Sequence, residues 1–179
     1  CCAGPTCSPS RAAMLTGQWA HCSGMIGLAH RGFSMEDYAR HIVHTLRPAG
    51  YRSALVGIQH VAADANRIGY DEILPVDRPD VAHVAPAAAK WLDGRPAGPF
   101  FLSVGFIETH RPWDELSESA DPRHVAPPAP MPDTPQTRRD TAGFHRLAGI
   151  LDDGVGQVLD ALDRNGLADD TIVLCTTDH

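Results

Sequence analysis

The chain has 179 residues, 43% hydrophobic and 21% charged, with 15 Lys+Arg against 22 Asp+Glu and a formal net charge of -7. A chain this long can hide roughly 70% of its unfolded surface in one core, so it needs no disulfide or metal staple to fold, and its composition is not that of a disordered segment. The acidic balance disfavours nucleic acid as a partner, and no run of about 18 uninterrupted apolar residues exists to span a bilayer. Five cysteines (Cys1, Cys2, Cys7, Cys22, Cys175) are an odd number without a CxxC pair, which argues against a disulfide framework or structural zinc. The chain opens on Cys1-Cys2 rather than Met and stops at His179 directly after an apolar run, so it is expected to be an internal piece of a longer protein. On that expectation the lack of a signal peptide leaves the compartment open.

The first element is a short helix in Cys7-Ser8-Pro9-Ser10-Arg11-Ala12-Ala13-Met14-Leu15-Thr16-Gly17. Pro9 suits its start, Ala12 to Leu15 are helix formers, and Gly17 stops it. Ser34 is expected to cap a second helix through Met35, Tyr38, Ile42 and Leu46, with Asp37 completing a capping box and Pro48 and Gly50 ending it. Arg52 to Val56 reads as a strand ending at Gly57. Asp80 is expected to cap a helix through Val81, Val84, Ala88 and Trp91, closed by Gly94. Phe100 to Val104 is apolar on both faces and is expected to lie centrally in a sheet. The proline-rich stretch from Ala126 to Pro132 excludes helix and central strand, because proline removes a backbone donor and fixes φ.

The longest helix follows, with Thr134 as cap, Pro135 at its first position, and Phe144, Leu147, Leu151, Val155, Val158 and Leu162 at steps of three and four. Asn165-Gly166 ends it. Thr171 to Cys175 reads as a closing strand that buries Cys175. Strands separated by helices indicate parallel pairing, hence an α/β fold: a mixed, mostly parallel sheet flanked by helices on both faces, without internal repeats. Ligands in such sheets sit at the carboxyl ends of the strands. The segments there end in His60, in His110 beside Glu108, and in Asp178-His179, which suggests one shared site.

Cys7 lies at the start of the first helix, where unpaired N–H groups and the positive end of the dipole favour an anion, and Arg11 adds a forked cation one turn on. The residues alone leave three readings of Cys7: a low-pKa nucleophile, a metal ligand, or a buried structural cysteine. The pattern Cys-x-Pro-Ser-Arg followed by Leu15-Thr16-Gly17 resembles the signature of the type I sulfatases of the alkaline phosphatase superfamily. The likeness extends along the whole chain and is greatest to the heparan N-sulfatase (sulfamidase) branch. It implies that residues 1–179 form part of an N-terminal catalytic domain, cut at both ends, with the superfamily's α/β fold.

In the family the motif cysteine is oxidised to formylglycine by a formylglycine-generating or equivalent maturation enzyme, which places that modification at Cys7. One oxygen of the hydrated aldehyde attacks sulfur, and the second then lets sulfate leave by elimination, an exit that a plain serine or cysteine ester lacks. The substrate class implied is a sulfated small molecule or glycan. By the same resemblance Arg11 holds the diol and the developing charge, and His60 hydrogen-bonds the diol and assists elimination. His110 contacts the substrate sulfate and protonates the leaving group, imidazole being suited to both proton transfers. Asp178 and His179, with position 7, match ligands of a divalent cation, usually calcium. The nitrogen of His179 suits calcium less than an oxygen does and leaves other metals open.

Two departures accompany the likeness. The family's lysine before the first histidine corresponds to Ile58, and Lys90, the chain's single lysine, lies on a different helix. The paired aspartates expected upstream and the basic residue expected after His179 fall outside the sequence, so the chain alone is expected to bind a cation weakly and to turn over nothing. Phosphonate monoester and phosphodiester hydrolases of the same superfamily, and a non-catalytic sulfatase-like binding protein, are the rival readings. Cys1, Cys2, His21 and Cys22 read as solvated or packing residues rather than parts of the site. Trp113-Asp114-Glu115 is a loop in which a part-buried tryptophan is expected, Asp152-Asp153 a solvated helix face, and Glu36-Asp37 complements a helix dipole.

Overall fold

The computed structural model describes residues 2–113 and 118–179; Cys1, Asp114 and Glu115 lie outside the described residues. Three strands form one parallel sheet in the order β2-β1-β3: β1 (Arg52–Gly57), β2 (Glu72–Leu74) and β3 (Phe100–Gly105). β1 runs in register with β3 from Arg52↔Phe100 to Gly57↔Gly105, and β2 pairs with its other edge. β1 is therefore the central strand, and its Ser53 to Val56 are all buried. β3, expected at the centre, is half-buried along most of its length and borders β1 alone among the described strands. Its apolar character serves two faces rather than two edges: Leu102 and Val104 meet one helix layer, while Phe101 stacks on Tyr70 on the other side.

The helices are α1 (Cys7–Thr16), α2 (Ala20–Ser23), α3 (Ile42–Leu46), α4 (Val81–Asp93) and α5 (Pro135–Arg164), joined by short 3-10 turns. α4 covers the sheet through Val84 and Ala88 against Val56, Leu102 and Val104. α5 lies against α4, with Gly154 so close to Val81 that a Cβ there would sit 2.7 Å from it. Thr134 caps the helix as expected and forms a capping box with Thr137 at its third position, and Arg164 pairs with Asp93 at the far end. Phe144, expected in the core, is 43% exposed because small residues, Ala142, Gly143 and Gly154 among them, form much of the face this helix buries.

On the opposite side Ala12 of α1 joins Met25, Ala29, Met35, Val61, Ala62 and Ile68 in a second cluster that reaches the sheet through Tyr70. The helix expected from Ser34 is broken here. Asp37 caps a 3-10 turn at Tyr38–Arg40, and the fully buried His41 adopts an extended conformation, its Nδ1 accepting the Val43 N–H at 3.4 Å to start α3. The side-chain acceptor competes with helix continuation and wins.

The closing strand is also absent. Residues 171–179 form no ladder among the described residues, and Ile172, Leu174 and Cys175 are exposed rather than buried. Apolar alternation selects an extended chain, but a strand also needs a backbone partner; both edges of β1 are taken by β2 and β3, and this run joins neither outer edge of the sheet. Among the described residues no helix is long and apolar enough to cross a membrane.

Candidate active site

Two glycines shape the carboxyl edge of the sheet. Gly57 ends β1 at φ 77°, and a Cβ on it would lie 2.0 Å from the Gly105 carbonyl oxygen; a Cβ on Gly105 would lie 2.0 Å from the Ile58 carbonyl oxygen. Only glycine permits this approach. The Ile58 N–H donates to Gly105 O at 2.9 Å, so the two loops leave the sheet side by side.

The first loop turns on Gln59. Its side-chain oxygen accepts from the N–H groups of Val61 and Ala62, and its amide donates to Ala62 O at 2.6 Å. This bracket holds His60 at φ 52°, a conformation rare for a side chain with a Cβ. The second loop carries His110, whose ring centroid is 6.3 Å from that of His60 in an edge-to-face arrangement. His110 Nδ1 lies 2.6 Å from Arg111 O, which assigns the Nδ1 proton to that bond and leaves Nε2 as the reactive nitrogen.

α1 supplies the third component. Cys7 is its first residue and 8% exposed; Gly17 closes it in the left-handed conformation. Buried Ser8 anchors the helix by accepting the Ala29 N–H at 3.0 Å. Arg11 donates from Nε to Asp178 Oδ2 at 2.6 Å and from one terminal nitrogen to Ile58 O at 3.3 Å. The other terminal nitrogen has no hydrogen bond among the described residues. Ser10 Oγ donates to the Asp178 carbonyl, and Cys7 Sγ lies 3.4 Å from His179 Nε2. Thus segment 176–179, though not a strand, is tied to α1 by three side chains.

Cys7, Asp178 and His179 each place a ligand atom within 4.8 Å of the others. This mixed sulfur, oxygen and nitrogen set is compatible with a divalent cation, with Asp178 Oδ1 still available while Oδ2 faces Arg11. An open cavity of about 740 Å³ borders this group, lined by Ser10, Ala13, Met14, Gln18, Trp19 and residues 176–179.

Burial and the nearby Asp178 charge push the Cys7 thiol up, outweighing its backbone N–H and Arg11. The low-pKa nucleophile reading of an unmodified Cys7 is therefore not supported. Burial also lowers the His60 pKa, helped by Arg11, His110 and His30 and opposed by Asp178, so that ring is neutral near pH 7. Burial raises the Asp178 carboxyl, but the Arg11 hydrogen bond and charge, with His179, outweigh it and leave it lowered.

The sulfatase family model matches residues 1–179. The chain belongs to the sulfatase family. This sulfatase-family chain is 31% identical over 207 residues to human N-sulphoglucosamine sulphohydrolase, covering 97% of the chain and 41% of that enzyme. It is 23% identical over 223 residues to an ulvan-active sulfatase of Formosa agariphila, covering 97% of the chain and 35% of that protein. It therefore spans about two-fifths of the length of these curated relatives. A crystal structure of yidJ, assigned as a sulfatase, from Bacteroides fragilis superposes with a TM-score of 0.73 at 19% identity, over 94% of this chain and 50% of that one, which supports the α/β fold.

The residues singled out in the sequence gather around one edge of this sulfatase-family sheet. His60 and His110 face each other, Arg11 reaches Ile58 beside them, and Cys7, Asp178 and His179 cluster at α1. Cys2 and Cys22 are exposed, as are His21 and the Asp152-Asp153 face. Lys90 is exposed on α4 and supplies no cation here. Trp113 is half-buried between the Arg111 guanidinium at 3.8 Å and Phe144 at 6.1 Å. Sequence reasoning missed Ser8, Ser10 and Gln59 as organisers. The first two sit inside the motif and were visible there; Gln59 gives no sign until its loop is folded.

Proposed function

We propose that this protein hydrolyses sulfate esters or sulfamates through a formylglycine hydrate made from Cys7, with a divalent cation at the adjoining ligands. The observation that carries the reading is the convergence of Cys7, Arg11, Asp178 and His179 at the N-terminus of α1, beside His60 and His110. The Cys7 sulfur stands where the modified residue's oxygen would be. Once formed, the aldehyde hydrate supplies a nucleophilic oxygen and a second hydroxyl through which sulfate leaves by elimination. A divalent cation, usually calcium in the family, would be held by Asp178, His179 and the residue at position 7, where it supplies Lewis-acid polarisation.

The chain's own groups account for the rest. The N–H groups of the first turn of α1 favour an anion, and the free corner of the Arg11 fork adds charge-assisted hydrogen bonding to the sulfuryl oxygens. His60, neutral and half-buried, accepts a proton. His110, exposed with Nε2 unpartnered among the described residues, serves as the acid: it takes up a proton at Nε2, while Nδ1–H stays bonded to Arg111 O, and passes it to the departing alcohol or amine. Ile58 offers only its backbone carbonyl, to Arg11, where the family places a lysine, so Arg11 carries more of the anion binding. The 31% identity to an N-sulphoglucosamine sulphohydrolase supports sulfamate among the substrates to be tried.

The test is the protein at its full natural length, coexpressed with a formylglycine-generating enzyme. Mass spectrometry of the tryptic peptide ending at Arg11 is expected to show an aldehyde in place of the Cys7 thiol. Sulfate release from an N-sulfated glucosamine or an aryl sulfate is expected to require it and to vanish in C7A. Modified protein that instead cleaves a phenyl phosphonate ester reassigns the substrate class. Unmodified cysteine with no turnover overturns the reading in favour of a binding protein.

A further inference from the structure

Glu108 lies on the loop that carries His110, two residues before it, yet its side chain points to a different element. Its Oε1 accepts the backbone N–H of Val81, the first residue of α4. That N–H is one of the donors a helix leaves without an intrahelical partner, and it sits at the positive end of the dipole, where an anion is favoured. The residue in the capping position, Asp80, makes no side-chain cap. Its carboxylate is turned to Arg78 Nε at 2.9 Å and to His83. Glu108 thus caps α4 from 27 residues away, and its buried Oε2 has no hydrogen-bond partner among the described residues.

A buried carboxylate with one oxygen unsatisfied is a costly way to cap a helix that has an aspartate at the capping position. The arrangement is better explained by what it does for the loop. After His110 the second loop is held by Arg111, which pairs with Asp140 of α5, and by Trp113 Nε1, which donates to Thr109 O at 3.3 Å; before it, the His110 N–H donates to Ile107 O at 2.7 Å, and the His110 ring is exposed. The Glu108 contact ties the middle of this loop to α4, which is itself packed on the sheet and on α5.

We propose that Glu108 is a positioning residue for His110: its hydrogen bond to the Val81 N–H sets the distance and angle at which His110 faces His60. The proposal rests on the role given to His110 above, so the test includes a readout that does not need turnover. Three variants separate the parts. E108A removes the acceptor; E108Q keeps a carbonyl oxygen in the same place; V81P removes the donor. Proline is tolerated at the first helical position, and Asp80, at φ -85° and ψ 165°, already has the conformation that precedes a proline.

The first readout is the NMR signals of the His110 ring, identified by their loss in H110Q. E108A and V81P are expected to shift them, and E108Q to leave them close to wild type. The second is kcat for aryl and alkyl sulfates over a range of leaving-group pKa. E108A and V81P are expected to lower kcat about 100-fold for poor leaving groups and only a few-fold for 4-nitrophenyl sulfate, with KM little changed, and E108Q to restore most of the loss. Unshifted His110 signals in V81P, or an equal loss of kcat across all leaving groups, overturn the proposal and leave Glu108 as a helix cap alone. Should E108A fail to fold, V81P and E108Q decide. Wild-type protein of full natural length that carries the aldehyde yet releases no sulfate refutes the functional reading, while the NMR comparison still decides whether Glu108 positions the ring.

Discussion

His41 links the stability of the site's wall to pH. The ring is fully buried, its Nδ1 accepts from the Val43 N–H, and its Nε2, which must then carry the proton, has no partner among the described residues. It packs edge-on against Tyr70 at 5.4 Å, and Tyr70 lies against the cluster that joins α1 to the His60 loop. Burial first, then the neighbouring His44, lowers the pKa of His41 from 6.5 to about 4. Above pH 6.5 the ring is neutral in both the folded and unfolded chain, and stability is complete. Below it the unfolded chain takes up a proton that the folded chain refuses until about pH 4. Stability is therefore lost as pH falls through this window, at up to about 1.4 kcal/mol for each pH unit, or about 3 kcal/mol across it. For a chain of this size that lowers Tm by about 5 to 10 °C. Urea unfolding followed by tryptophan fluorescence between pH 8 and pH 4.5 measures it, with H41N as the comparison: asparagine keeps a side-chain oxygen for the Val43 N–H but does not titrate. Wild type is expected to lose about 2.5 kcal/mol more than H41N over this range. Parallel pH profiles for the two proteins would refute the assignment of acid sensitivity to this ring.

Two further outcomes follow from single contacts. R11K keeps the net charge but loses the fork that spans Asp178 and Ile58 O, so it is expected to lower kcat/KM for sulfate-ester hydrolysis about 100-fold with no change in charge; steady-state kinetics beside a melting curve separates this from unfolding. G105A places a Cβ against the Ile58 carbonyl oxygen and is expected to cost about 2 to 4 kcal/mol in urea unfolding, whereas G156A, open on its side, is expected to be neutral or slightly stabilising.

Much of this architecture was legible because it rests on local chemistry. Thr134-Pro135 starts α5 and Gly17 stops α1 through backbone rules that operate within a few residues. β1 and β3 were readable as apolar runs ending in glycine. The failures among the strands share a cause: each depends on a partner distant in sequence. β2 is three residues long and charged at Glu72, a strand only because β1 offers it an edge. The 171–175 run has strand composition but pairs with neither outer edge of the sheet. His41 breaks a helix that the pattern from Met35 to Leu46 requires, because burial and a ring nitrogen at the right height outweigh periodicity.

The candidate site divides in the same way. Its chemical groups are concentrated in a motif and at strand ends, where residue type alone is informative. Their mutual geometry is set by residues with no chemical signature: Gly57 and Gly105, which let two loops leave the sheet in contact; Gln59, which holds His60 in a left-handed conformation; and Ser8 and Ser10, which fix α1 to its surroundings. The two histidines are 50 residues apart in the chain, and what brings their rings to 6.3 Å is a register of one parallel pair, Gly57 against Gly105. A one-residue slip in that pair would turn the loops to opposite faces of the sheet. Hence the pairing of β1 with β3, more than any single side chain, determines whether the two imidazoles face each other.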